Sequence, residues 1–272
     1  MADDIGKIIN LQRYPIHDGS TPACHELVAG LRADLDRNQF CILPDFIHEH
    51  VREELVGEVE GLQDVAFANR SQRNCYLQRN KDPETPDDHP RNIFFEASYR
   101  MIASDSFAES SALKRLYYWQ PMIDFVARIV GADKLYVNAD PFQPVSGICY
   151  GDGDRSAWHF DSWNEFTMTL MLQSPEGGGE FEIVPNIRSR EDPNHDELRT
   201  VLQGDRARVV TVPRSHRALV IFRGARSVHR VTPVSGSTKR LMAVFVYEKE
   251  PGVLGDPEVN ATVYGPRTQM GQ

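Results

Sequence analysis

The chain of 272 residues has four cysteines, Cys24, Cys41, Cys75 and Cys149, and no Cys-x-x-Cys pair. That scatter argues against both a zinc ribbon and a disulfide framework. No apolar run approaches the ~20 residues that span a bilayer, and no tract is repeated or low in complexity. Positive charge is in deficit: 30 Lys and Arg stand against 39 Asp and Glu, a formal charge of -9 with a pI near 5.5. Such a balance disfavours a broad nucleic-acid footprint, which needs a basic face. Met1-Ala-Asp-Asp lacks the basic-then-apolar order of a secretory signal. The expectation is a cytoplasmic protein that engages neither nucleic acid nor membrane and takes a small molecule as partner. The oligomeric state stays open.

What is present is Trp158-His159-Phe160-Asp161, answered far downstream by His229 and then Arg240. A His-x-Asp pair with a distant second His is the ligand set of the two-His-one-carboxylate iron site. That set holds Fe(II) on one triangular face and leaves three positions open. Two neutral imidazoles and one carboxylate leave residual positive charge on the metal, enough to take a bidentate 2-oxo acid and still admit O2. Arg240 supplies a planar cationic fork for the far carboxylate of 2-oxoglutarate. Should Arg240 not serve, Arg208 and Arg214 come next.

The text around these residues alternates as strands do. Glu165–Gln173 reads as a half-buried strand, Gly177-Gly178-Gly179 as a turn and Glu180–Val184 as the returning strand. Ala218–Phe222 is a short apolar strand, His229 opens the next, and Lys239–Tyr247 puts Arg240, Met242, Val244 and Val246 on one face. This order predicts a mainly β fold with flanking helices around a double-stranded β-helix, a jelly-roll of cupin type. A jelly-roll whose histidines merely pack, acting as a non-catalytic metal- or small-molecule-binding protein, would leave the triad and Arg240 unexplained together. His216, in Pro213-Arg-Ser-His216, competes with His229 but sits where a turn would expose it.

With "WHFDSWNEFTMTLMLQSPEGGGEFEIVPNIRS", "ALVIFRGARSVHRVTPVSGSTKRLMAVFVY" and "ATVYGP", the chain resembles the Fe(II)/2-oxoglutarate-dependent oxygenases. It is most similar to the branch of free-lysine halogenases and hydroxylases, over about half its length. The resemblance implies His159, Asp161 and His229 as iron ligands, Arg240 as the 2-oxoglutarate anchor, and O2 as oxidant. It implies a small free amino acid as substrate only by analogy, because a fold and a metal site do not fix a substrate. In the halogenating relatives Gly or Ala stands where this chain has Asp161, and chloride takes the vacated place. The carboxylate here implies hydroxylation, or desaturation or cyclisation where the substrate radical is held away from the hydroxyl. The alternatives are the same chemistry on a natural-product intermediate, a peptide or a nucleobase.

Further candidates follow from position. Thr167 and Thr169 share one face of the strand after Asp161 and could reach the 2-oxoglutarate carboxylate. Trp163 could roof the site, and Tyr264 could close it from the C-terminal tail. Arg91 resembles an arginine that the amino-acid branch uses for a substrate carboxylate. Asp140, on the expected strand Leu135–Asp140, is a candidate for an amine, with Phe142 beside it. If Asp140 faces outward and Phe142 inward, an aliphatic amino acid would fit better than lysine. One domain spans 1–272: a mostly helical bracing segment 1–134, a jelly-roll core 135–250 and a tail 251–272. In the first segment, helices are expected after Pro22, through Val51, Leu55, Val59 and Leu62, and from Ser110 or Ser111 to Gly131 with a bend at Pro121. Phe40–Leu43 reads as a strand, Gln78–Pro90 as an exposed loop, and Arg188–Leu202 as a loop and short helix inserted between barrel strands.

Overall fold

Residues 2–161 and 166–269 are described by a computed structural model. Its strands, in chain order, are β1 (Phe40–Leu43), β2 (Phe67–Arg73), β3 (Phe95–Ile102), β4 (Tyr136–Val137), β5 (Val145–Tyr150), β6 (Thr167–Gln173) and β7 (Gly177–Gly178). There follow β8 (Phe181–Val184), β9 (Val210–Val212), β10 (Leu219–Phe222), β11 (Val228–Val231), β12 (Val234–Ser235), β13 (Arg240–Phe245) and β14 (Tyr247–Glu248). The helices are α1 (Ala2–Ile5), α2 (Pro22–Asn38), α3 (Glu49–Gly61), α4 (Ala112–Tyr117), α5 (Gln120–Val130), α6 (His195–Leu202) and α7 (Pro257–Tyr264).

Two sheets share the barrel strands. The larger has the order β1-β10-β6-β13-β5-β3-β2, and the smaller β11-β8-β9. The segment around His159 joins the smaller sheet through a bridge to His229 on β11. From β5 onward the chain alternates between them, β5 large, 157–159 small, β6 large, β8 and β9 small, β10 large, β11 small, β13 large. That alternation is the double-stranded β-helix expected from the sequence.

At β5, β6, β10 and β13 the larger sheet is buried on both faces, and the period of two along its strands sends alternate side chains to each. Met168, Leu170, Leu172, Leu219, Ile221, Leu241, Ala243 and Phe245 point to a core shared with α2, α3, α4 and α5. Their neighbours Met171, Val220, Phe222, Met242 and Tyr150 face the other way, toward the smaller sheet. Helices therefore cover one face and the site occupies the other.

Residues 1–134 hold more strand than the sequence suggested. β1, β2 and β3 all join the larger sheet, with β2 and β3 in register from Phe67↔Met101 to Arg73↔Phe95. The helical segment near Pro121 also differs. Instead of one bent helix there are two, α4 capped by Ser111 accepting from the Leu113 N–H, and α5 beginning at Gln120. Pro121 falls in the first turn of α5, where a missing N–H breaks no helical bond. Gly131, at φ +78°, ends α5 in the left-handed conformation that glycine adopts without strain. Leu135–Asp140 forms only the two-residue β4.

Candidate metal and co-substrate centre

His159 and His229 face each other across an antiparallel bridge, each backbone N–H donating to the other's carbonyl at 2.9 and 3.0 Å. This places their rings side by side, with centroids 4.2 Å apart. His159 Nδ1 lies 2.8 Å from the Ala157 carbonyl and His229 Nδ1 lies 2.9 Å from the Ser227 carbonyl. A carbonyl only accepts, so both rings carry their proton on Nδ1 and leave Nε2 bare for a metal. The Asp161 backbone N–H donates to Gly224 at 3.2 Å, and Asp161 Oδ1 reaches 3.7 Å from His159 Nε2 and 3.5 Å from His229 Nε2. All three ligand atoms lie within 4.8 Å of one another. Two neutral nitrogens and one carboxylate on a single face fit a divalent iron with open positions.

Electrostatics favour the ligand forms. Burial, aided by the facing His229, pulls His159 down to about 4 against the opposing pull of Asp161, so its ring is neutral near pH 7. Burial pushes Asp161 up, but the two imidazoles and the Thr167 hydroxyl more than offset it and hold the carboxylate ionised. Thr167 Oγ1 donates to Asp161 Oδ2 at 2.5 Å, and Gly224 lies so close that a Cβ there would stand 2.0 Å from the same oxygen. The carboxylate is fixed from both sides. Thr167 thus serves Asp161, and its hydroxyl proton does not go to 2-oxoglutarate as its position on the strand suggests.

Behind the ligands lies a cavity of about 260 Å³. Tyr150, Thr169 and Met242 from the larger sheet line it, and so do Phe181, Phe222 and Arg214. Arg240 is fully buried at the start of β13, opposite Tyr150 on β5. Its Nε donates to Gly179 O at 3.0 Å and its Nη1 meets Met242 Sδ at 2.8 Å, while Nη2 has no partner. The Thr169 hydroxyl is likewise buried without a partner. Orphaned buried donors are costly, and a dicarboxylate such as 2-oxoglutarate fits the need.

The substrate-side candidates divide. Tyr264 lines the cavity, together with Val263. Arg91 does not: its half-exposed guanidinium pairs with Asp82 at 2.9 Å on the surface. Asp140 is buried but turned to the tail, accepting from Gly255 N at 3.0 Å and Asn260 Nδ2 at 2.7 Å. Phe142 packs with Met101 and Tyr264 under the Arg267 guanidinium, outside the cavity wall. Trp163 lies outside the described residues. His216 is half-exposed beside Glu49 and does not belong to the cluster of His159, Asp161 and His229. Sequence reasoning missed Arg73 and Tyr99, which line the cavity from β2 and β3. The signal for Arg73 is the inner face of β2, where Asn69, Ser71 and Arg73 alternate with exposed residues. An inward polar row on a strand marks a site and not a core.

The Halogenase D family model matches residues 24–257. No curated protein matches the chain. Among solved structures the chain is similar to AviO1 from Streptomyces viridochromogenes, at 16% identity and a TM-score of 0.57, covering 84% of this chain and 97% of that one. A 2OG-Fe(II) oxygenase family protein from Burkholderia pseudomallei aligns at 15% identity and a TM-score of 0.52, over 83% and 92% of the two chains. The epimerase SnoN of nogalamycin biosynthesis, a structure with Fe3+ and alpha-ketoglutarate, aligns at 15% identity and a TM-score of 0.55, over 82% and 84%. At these identities the structures speak for the fold, and the family model speaks for descent. Together with a His-Asp-His face built for Fe(II), they place the chain in the Halogenase D family, as an Fe(II)/2-oxoglutarate-dependent oxygenase that uses O2.

Proposed function

We propose that this oxygenase hydroxylates a C–H bond of a small free amino acid with an apolar side chain. The observation that carries the reading is Arg73. It is 5% exposed, on the inner face of β2, in the wall of the cavity that holds the triad. Its Nε donates to Ser71 Oγ at 2.8 Å and its Nη2 to Asn69 Oδ1 at 3.4 Å, and no carboxylate among the described residues pairs with it. A guanidinium buried without counter-charge is costly, and burial pulls its pKa down. A substrate carboxylate would supply the missing charge, so Arg73 takes the carboxylate-holding role that the sequence suggests for Arg91.

The rest of the wall argues for size and polarity. Ile148, Val244, Val246 and Leu77 are apolar, and Val263 and Tyr264 join them from α7. Apart from Asp161, no acidic side chain among the described residues lines the cavity. That favours an aliphatic side chain over the amine of lysine, and a compact molecule over a peptide. Asp161 favours hydroxylation in a family named for halogenation, since the place vacated for chloride in halogenating relatives is held here by a carboxylate.

Bound at His159, Asp161 and His229, Fe(II) with 2-oxoglutarate and O2 supplies oxidation of an unactivated C–H bond, 2-oxoglutarate leaving as succinate and carbon dioxide. The chain's own residues do the positioning. Arg240 and Thr169 hold the co-substrate through their orphaned donors, Thr167 and Gly224 fix the Asp161 carboxylate, and Arg73 orients the substrate. Fixing one end of a small molecule against an apolar wall selects which C–H bond faces the metal.

The test is succinate release from iron-loaded protein across a panel of L-amino acids with chloride present, with product mass measured. An aliphatic amino acid should stimulate turnover and gain one oxygen. Arg73→Ala should lose that stimulation while keeping uncoupled 2-oxoglutarate consumption. Indifference to every amino acid alongside oxidation of a peptide or nucleobase, or a chlorinated product, would overturn the reading.

A further inference from the structure

Arg240 alone is poorly equipped to hold a carboxylate by two parallel bonds. Such a grip uses neighbouring N–H groups along one edge of the guanidinium, and Arg240 has committed Nε to Gly179 O and turned Nη1 to Met242 Sδ. Only Nη2 is left without a partner. A carboxylate offers about four acceptor sites, so a single nitrogen leaves most of them unmet in a buried place.

Arg214 has what Arg240 lacks. It lines the cavity, its guanidinium carbon lies 3.7 Å from the Phe181 ring centre and 5.7 Å from that of Phe222, and both rings pack on His229. Part of the residue reaches the surface, yet its Nε and Nη2 are shut off from solvent and have no hydrogen-bond partner. These two nitrogens share one edge of the guanidinium, the edge that meets a carboxylate side-on. No acidic side chain pairs with Arg214 or Arg240 among the described residues. Burial and the charge of Arg240 both act to pull the Arg214 pKa well down, and Tyr150 lies near both cations.

We propose that Arg214 is a second cation for 2-oxoglutarate, gripping the distal carboxylate bidentately while Arg240 Nη2 and Tyr150 complete its shell. The inference rests on 2-oxoglutarate being the co-substrate. Two neighbouring cations with no acidic partner among the described residues, each with guanidinium nitrogens shut off from solvent, form a site whose missing partner is an anion. A dicarboxylate would then be selected over a 2-oxo acid with one carboxylate.

The experiment is anaerobic calorimetric titration of the iron-loaded protein with 2-oxoglutarate and with 2-oxovalerate, which has the same chain length but no distal carboxylate. The wild type should prefer 2-oxoglutarate. Arg214→Met should weaken 2-oxoglutarate binding by at least about 30-fold, the loss typical of a buried charge pair cut on one side. Binding of 2-oxovalerate should change by less than about threefold. If Arg214→Met does not fold, Arg214→Lys keeps the stem and charge but not the fork, and the same contrast is expected in weaker form. Unchanged 2-oxoglutarate affinity, or equal losses for both acids, would overturn the proposal and leave Arg214 as a cation packed on Phe181. A wild type that does not distinguish the two acids would remove the premise as well.

Discussion

At the scale of single residues, the centre depends on a few short contacts that tolerate little change. Each metal ligand is one of three, so His159→Ala and His229→Ala should each abolish iron retention, measured as iron per chain after gel filtration, and with it succinate formation. His216→Ala should keep both, because that side chain is half-exposed and stands outside the His-Asp-His cluster. The reverse pattern would disprove the ligand assignment. The triad was legible in the sequence because a metal demands particular atoms and a short spacing supplies two of them. Arg73 was not, because its place depends on how β2 pairs with β3 and β3 with β5, which no local pattern states. Arg91 misled for the complementary reason: its chemistry suited a carboxylate, but the carboxylate it found was Asp82. The four cysteines are all buried, and burial pushes Cys41 and Cys75 up to about 12, so those two thiols are not nucleophiles.

At the scale of elements, β6 shows how one strand serves stability and chemistry in alternation. Leu170 is fully buried among the helices, while Thr169, one residue before, faces the cavity with an orphaned hydroxyl. Leu170→Ala should cost about 2–5 kcal/mol of stability, seen as a lower melting temperature, with 2-oxoglutarate affinity little changed. Thr169→Val should do the opposite, holding the melting temperature and weakening 2-oxoglutarate. Similar effects of both on both measurements would contradict the two-faced assignment. This alternation was readable from the sequence, and so were the order of the barrel strands and the C-terminal end of α5 at Gly131. The strands β2 and β3 were not, because β2 places Asn69, Ser71 and Arg73 where a core strand places apolar residues. An inner face that is polar for function conceals the period that announces a strand.

At the scale of the whole molecule, an acidic chain meets its own charge as pH falls. Glu182 on β8 is 5% exposed and accepts from Arg206 Nη1 at 2.8 Å, Arg206 Nη2 and Arg230 Nε at 2.7 Å. Burial raises its pKa, but the two arginines more than compensate, and the net value falls below the ordinary 4.5. A carboxyl held below its unfolded value stabilises the fold above that value and ceases to do so as pH drops through the folded one. Glu182→Gln should therefore lower the melting temperature at pH 7, with the gap to wild type closing below about pH 4.5. A gap that does not depend on pH would mean that Glu182 acts through packing alone. The tail carries a different consequence. Val263 and Tyr264 wall the cavity from α7, which Asn69 Nδ2 ties down by donating to the Val263 carbonyl at 2.9 Å and which also packs on β3. Every candidate metal ligand precedes α7 in the chain, so on the ribosome all three have been made before this part of the cavity wall exists. During synthesis, the capacity to acquire iron is encoded earlier than the capacity to enclose what the iron will oxidise.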